Sequence, residues 1–160
     1  MKAVMYHYVR DTNEDQPYFK SLHVDDFIKQ LDYFDEKFGI ATYEDVLKVK
    51  SGILVDKVLL TFDDGVIDHY EFVFPELKKR GKVGVFYVPT LPYIEKKMLD
   101  VHKTHLILGA INASKVLKTL ESLIDPNMIE HRDEFESKTY LHQSNDQCTL
   151  RVKRILNYFL

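Results

Sequence analysis

The sequence predicts an α/β protein, with parallel strands in a sheet or barrel, helices outside them, and a mainly helical stretch to follow. Three observations predict this. Apolar runs at residues 3–9, 57–62 and 83–88 read as strands. Between them lie apolar residues at helical spacing, and strand–helix alternation of this kind implies parallel pairing. From residue 95 onward the strand signal stops and helical spacing takes over. In alternating folds, ligand chemistry sits at the carboxyl ends of the strands.

Taken in order, Ala3 to Val9 is the first strand, apolar enough for a buried position, and residues 11–16 are a polar loop closed by Pro17. From Asp25 to Phe38, the residues Phe27, Leu31, Phe34 and Phe38 recur at intervals of four, three and four, the stripe of an amphipathic helix. Its aromatics are therefore read as core. Asp25 and Asp26 suit the positive end of the helix dipole, and Gly39 supplies the stop. Thr42 caps a short helix through Lys48, with Asp45 completing an approximate capping box. Ser51-Gly52 turns the chain into the strand 57–62. Residues 67–80 read as a helix in two pieces, because Pro75 breaks or restarts it. Ile67, Tyr70, Phe74 and Leu77 form its expected inward face, and Gly81 ends it. Strand 83–88 is stopped by Pro89.

The second half carries Leu106, Ala110, Ala113, Leu117, Leu120 and Ile124 at helical spacings over residues 95–124. Asp125-Pro126-Asn127 breaks the pattern, and residues 127–147 are polar and poorly periodic. A last helical run from Leu150 to Leu160 carries Val152, Ile155, Leu156 and Phe159. No internal repeat or low-complexity stretch is present.

Composition excludes several classes. The 160 residues fit one domain with a real core, and 45% hydrophobic with 29% charged residues is ordinary for a globular chain. A net charge of −3 without any Lys/Arg cluster argues against a nucleic-acid partner. The single cysteine, Cys148, excludes an internal disulfide framework and a Cys-rich zinc site. The amino terminus is too polar for a signal peptide's apolar core, and no stretch approaches the ~20 apolar residues of a membrane span. The expectation is a cytoplasmic protein.

The residues that carry chemistry are Thr61-Phe62-Asp63-Asp64-Gly65. Two adjacent carboxylates stand where a buried strand stops, and burying them unpaired is costly. A bound divalent cation is the simplest compensation, and it leaves the neighbouring carboxylate free to act as a base. Gly65 lets the backbone turn sharply.

Together with Met5-Tyr6-His7-Tyr8-Val9 and the acidic start of the helix at Asp25-Asp26-Phe27, running on through Leu31, Tyr33 and Phe34, this motif resembles the polysaccharide deacetylases of the NodB-homology type. The strand and stop Val85-Phe86-Tyr87-Val88-Pro89-Thr90 also fit that family's spacing. The resemblance covers roughly residues 1–90. It implies a distorted (β/α) barrel and a metal-dependent hydrolase that removes acetyl groups from N-acetylated sugars or polysaccharides, acting on an amide carbon–nitrogen bond. Asp63 matches the family's catalytic base and Asp64 its metal-binding aspartate. A cation on Asp64 would acidify water and polarise the amide carbonyl, while Asp63 takes the proton. Zinc heads the metals implied, with nickel, cobalt and manganese admissible. Some of the ten Tyr and ten Phe, in a chain without Trp, could floor a sugar site.

The sequence departs from the family in one respect. The family completes its metal site with two histidines four residues apart on a later loop, and this sequence has no such pair. His102 and His105, three apart at the start of a helix, are the nearest candidates. His7, at the end of the first strand, is the other candidate ligand. His23, His69, His131 and His142 read as structural or solvated. The family's remaining motifs would lie beyond residue 160, so the expectation is an amino-terminal portion of a longer deacetylase. Residues 1–94 would form part of the barrel, and residues 95–160 a helical insertion or extension. A partial barrel bares a strand edge, which invites self-association into a homo-oligomer.

Two other readings remain open. One is a non-catalytic remnant of the deacetylase fold, or a scaffold that binds glycan passively. The other is an aspartyl-phosphate phosphatase or phosphotransferase. Those enzymes separate their two aspartates by one residue and follow with Thr, whereas Asp63 and Asp64 are adjacent and Gly65-Val66 follows.

Overall fold

The computed structural model describes residues 1–130, 132–141 and 143–159. His131, His142 and Leu160 lie outside the described residues. The chain divides into two units: Met1–Thr12 with Lys20–Thr90, and Asn13–Phe19 with Leu91–Leu160.

The first unit runs β1 (Lys2–Tyr6), β2 (Val9–Arg10), β3 (Leu22–His23), α1 (Val24–Lys37), α2 (Tyr43–Lys50) and β4 (Val58–Phe62). A π-helical turn, His69–Val73, then leads into α3 (Phe74–Lys79) and β5 (Gly84–Phe86). Strands β1, β4 and β5 form one parallel sheet in the order β1-β4-β5, with Tyr6 opposite Phe62 and Phe62 opposite Phe86. Strands β2 and β3 form a separate parallel pair. The architecture is thus α/β with parallel strands, as expected, and among the described residues the sheet has three strands.

The apolar run Val58-Leu59-Leu60 makes β4 the central strand, and its last three residues are all buried. Around it pack Tyr6, Val9, Phe27, Leu31, Ile40, Val73 and Leu77. Tyr6 lies edge-on to Phe27 at 5.2 Å and stacks on Phe62 at 5.4 Å. Burial pushes the Tyr6 hydroxyl up to about 12, and it donates to Gln30 Oε1 at 2.9 Å. A Cβ on Gly84 would lie 2.6 Å from Phe62 Cε2, so glycine there is what lets β5 settle over that ring.

Three sequence expectations are corrected. Strand β1 is buried on one face only: Val4 and Tyr6 pack on the core, whereas Ala3 and Met5 are exposed, Met5 at 61%. Phe27 and Phe34 of the α1 stripe do pack in the core, but Phe38 is the carboxyl-terminal cap and lies exposed. The inward face after the acidic motif is also not the expected one. Ile67, Tyr70 and Phe74 are exposed, while Asp68, His69, Val73 and Leu77 are buried. A π turn winds more residues per turn than an α-helix, so it rotates the inward face away from the 3.6-residue pattern.

The second unit contains α4 (Leu91–Glu95), α5 (Asp100–Ala110), α6 (Ala113–Leu123), a 3-10 turn at Pro126–Met128, α7 (Arg132–Phe135) and α8 (Gln147–Arg154). The chain continues from α8 into a π-helical turn, Ile155–Phe159. Asn112 and Asp146 cap α6 and α8 through side-chain oxygens that accept from Ser114 N–H and Thr149 N–H. Leu108, Val116 and Val152 form its core, with Leu117, Leu120 and Leu156 against them. No helix among the described residues is long and apolar enough to cross a membrane.

Candidate active site

The acidic motif lies at the carboxyl end of the central strand, where parallel sheets place their chemistry. Asp63 continues the line of β4, its N–H donating to the Tyr6 carbonyl at 3.0 Å. Its carboxylate is half-buried and makes no hydrogen bond or ion pair among the described residues. Asp64 then takes φ +79° and Gly65 φ +58°. A non-glycine residue in that region is strained, which is common where a side chain must be aimed. Here the turn aims Asp64 at His7, whose Nδ1 lies 3.0 Å from Asp64 Oδ2. The Asp64 side chain is 26% exposed, so the pair remains reachable from solvent.

His7 stands in the gap between β1 and β2, and three further contacts fix that gap. His69 Nε2 lies 2.6 Å from the His7 carbonyl. Arg10 makes a two-pronged ion pair with Asp68, Nε to Oδ2 at 2.7 Å and a terminal nitrogen to Oδ1 at 3.0 Å. The Arg10 guanidinium also lies over the Tyr8 ring at 5.1 Å. Burial first, and the negative charge of Asp64 next, push the Tyr8 hydroxyl up to about 12, so it stays protonated as a donor.

Of the candidate residues, the structure brings together Asp63, Asp64 and His7. His102 and His105 both lie on α5 in the second unit. His23 is structural: its Nδ1 accepts from Asp25 N–H as the cap of α1, and its Nε2 lies 3.0 Å from Asp11 Oδ1. Sequence reasoning missed Asp68 and Arg10, and read His69 only as structural or solvated. The spacing Asp64-x-x-x-Asp68 was visible, but helical periodicity turned Asp68 and His69 outward.

The donor set fits a divalent ion in chemistry, though it is short. One carboxylate oxygen and one imidazole nitrogen roughly 3 Å apart suit two positions around zinc, whose bonds to such atoms are roughly 2.0–2.2 Å. Among the described residues, no group of three or more His, Cys, Asp or Glu side chains is arranged to hold a metal.

The chain is similar to several solved structures. It is 30% identical to IcaB from Ammonifex degensii, with a TM-score of 0.44, over 54% of this chain and 37% of that one. It is 18% identical to a de-N-acetylase from Aggregatibacter actinomycetemcomitans, with a TM-score of 0.49, over 76% of this chain and 50% of that one. With the Streptococcus pyogenes deacetylase PplD, solved in complex with acetate, it shares 20% identity and a TM-score of 0.47, over 99% of this chain and 80% of that one. The chain thus spans about a third of the first of these structures and half of the second. Two of these structures are named as a de-N-acetylase and a deacetylase. No family model and no curated protein matches it.

Proposed function

We propose that this chain carries part of the catalytic site of a metal-dependent deacetylase that removes acetyl groups from an N-acetylated sugar or polysaccharide. The observation that carries the reading is the Asp63–Asp64 turn. It holds two adjacent acids, one aimed at an imidazole and one without a partner among the described residues. Asp64 and His7 would hold the divalent ion, zinc in preference to nickel, cobalt or manganese. When bound, the ion supplies Lewis-acid chemistry at an amide carbonyl. Ligation through His7 Nδ1 requires the tautomer with its proton on Nε2, whereas the direct contact with Asp64 Oδ2 requires the proton on Nδ1. Asp63, with lone pairs uncommitted, takes the proton from the attacking water. The exposed edges of the β1-β4-β5 sheet extend the proposal to a barrel completed by further strands, and to self-association.

A second reading, a deacetylase-like scaffold that binds glycan without turnover, is favoured by one observation, the two-member donor set. Acetate release from N-acetylglucosamine oligomers in the presence of zinc separates the two. With the site completed by further strands, the leading reading expects release by the wild type, a loss of about 10²-fold or more in Asp63→Asn with zinc retained, and loss of both zinc and turnover in Asp64→Asn. Zinc binding without acetate release would favour the scaffold. Equal zinc loss in both variants would exchange the two roles.

A further inference from the structure

We propose that His69 is a positioning residue: it hands its one N–H to the His7 carbonyl and so sets the His7 imidazole against Asp64. The contact is 2.6 Å. A carbonyl only accepts, so Nε2 must carry the proton. His69 Nδ1 is buried and has no hydrogen-bond partner among the described residues. The ring is 4% exposed and lies 5.5 Å from the Phe62 ring and 5.7 Å from the Phe86 ring. A histidine in such an apolar slot leaves one nitrogen unsatisfied, a penalty that phenylalanine would avoid. What the histidine supplies, and phenylalanine cannot, is a single fixed donor.

The donor falls where the ladder is missing. Strand β1 ends at Tyr6 and β2 begins at Val9. The Tyr6 carbonyl accepts from Asp63 N–H, and the Tyr8 carbonyl from Leu22 N–H at 3.0 Å. The His7 carbonyl between them is the one that His69 satisfies. With both flanking carbonyls pinned, fixing the third sets the peptide plane after His7 and thereby the direction of its side chain. The Arg10–Asp68 pair anchors the far end of the same segment to the residue before His69. The π turn that starts at His69 brings both Asp68 and His69 inward, and π turns recur at functional sites.

The role in holding metal rests on the proposed function, whereas the positioning of His7 does not, and the test keeps them apart. Imidazole nitrogen spectra of the wild-type chain should show His69 as the neutral Nε2–H tautomer. An Nδ1–H tautomer would overturn the proposal without any variant having to fold. In the wild type and in His69→Gln, which retains a donor at the same distance along the side chain, Asp64→Asn should shift the His7 nitrogen signals. In His69→Phe, which keeps the ring packing but loses the donor, that response should vanish. An undiminished response in His69→Phe would overturn the positioning role. Zinc titration should give an affinity lowered about tenfold or more in His69→Phe and largely restored in His69→Gln. If the wild type takes no zinc, the metal reading fails and the His7 signals alone decide the role of His69. If His69→Phe binds zinc as the wild type does, the metal reading stands and the positioning role falls.

Discussion

At the scale of single residues, the site depends on one strained peptide corner. Asp64 at φ +79° and Gly65 at φ +58° turn the chain sharply, and Asp64 Oδ2 reaches His7 Nδ1 at 3.0 Å. A Cβ at Gly65 would also approach Val88 Cγ1 to 3.0 Å. Gly65→Ala should therefore destabilise the fold by ~1–2 kcal/mol, mostly through the backbone conformation, measured by urea unfolding. An unchanged midpoint would mean that the corner relaxes without cost. Asp63, Asp64 and Gly65 were legible in the sequence because adjacent acids after an apolar strand are conspicuous. His7 was legible as a candidate only because it ends a strand. Its partner could not be read, since a contact between residues 57 positions apart depends on the parallel register of β1 and β4. Asp68 was hidden altogether, and His69 was legible only as a structural or solvated side chain. Nothing in Ile67-Asp68-His69-Tyr70 announces a π turn, and the 3.6-residue pattern selected the apolar neighbours instead.

Among the elements, α1 and α2 follow their sequences closely. Thr42 and Asp45 form the expected capping box: the Thr42 side chain accepts from Asp45 N–H, and Thr42 N–H donates back to Asp45 Oδ2 at 3.0 Å. The sequence did not reveal that Lys57, just before β4, reaches the same carboxylate at 2.7 Å and so ties the start of α2 to the central strand. The Lys57 ammonium first, and the Thr42 donors next, hold the Asp45 carboxyl well below the usual carboxylate range. A carboxyl whose pKa is lowered on folding contributes stability above its unfolded value, and that contribution is lost as pH falls from there toward the folded value. Asp45→Asn should thus be less stable than the wild type at neutral pH, with the difference shrinking below about pH 4. Urea midpoints of the two proteins across that range check this, and a gap that stays constant into acid would remove Asp45 from the account. Strand β1 follows its sequence only in part: successive side chains alternate faces, so Val4 and Tyr6 pack on the core while Ala3 and Met5 are left in solvent.

For the whole molecule, the sequence revealed the α/β class, the parallel strands and the helical second half, because alternation and spacing are local signals. It placed the change of character near residue 95. The structure divides the chain after Thr90 and groups residues 13–19 with the later unit through contacts such as Tyr18 N–H to the Gly109 carbonyl at 2.9 Å. Such long-range pairing leaves no periodic trace. A ligand that binds only the folded chain stabilises it by mass action, so zinc at a hundredfold excess over its dissociation constant should add about 2.7 kcal/mol. The unfolding temperature of the wild type should rise with zinc, while that of Asp64→Asn should not. A rise of equal size in both would place the zinc elsewhere.

The central claim is that Asp64 and His7 form the nucleus of a metal centre, and zinc titration by calorimetry addresses it most directly. The account predicts about one ion per chain for the wild type, binding abolished by Asp64→Asn and weakened about tenfold or more by His7→Ala. Binding that survives Asp64→Asn unchanged, or no binding to the wild type, would contradict it.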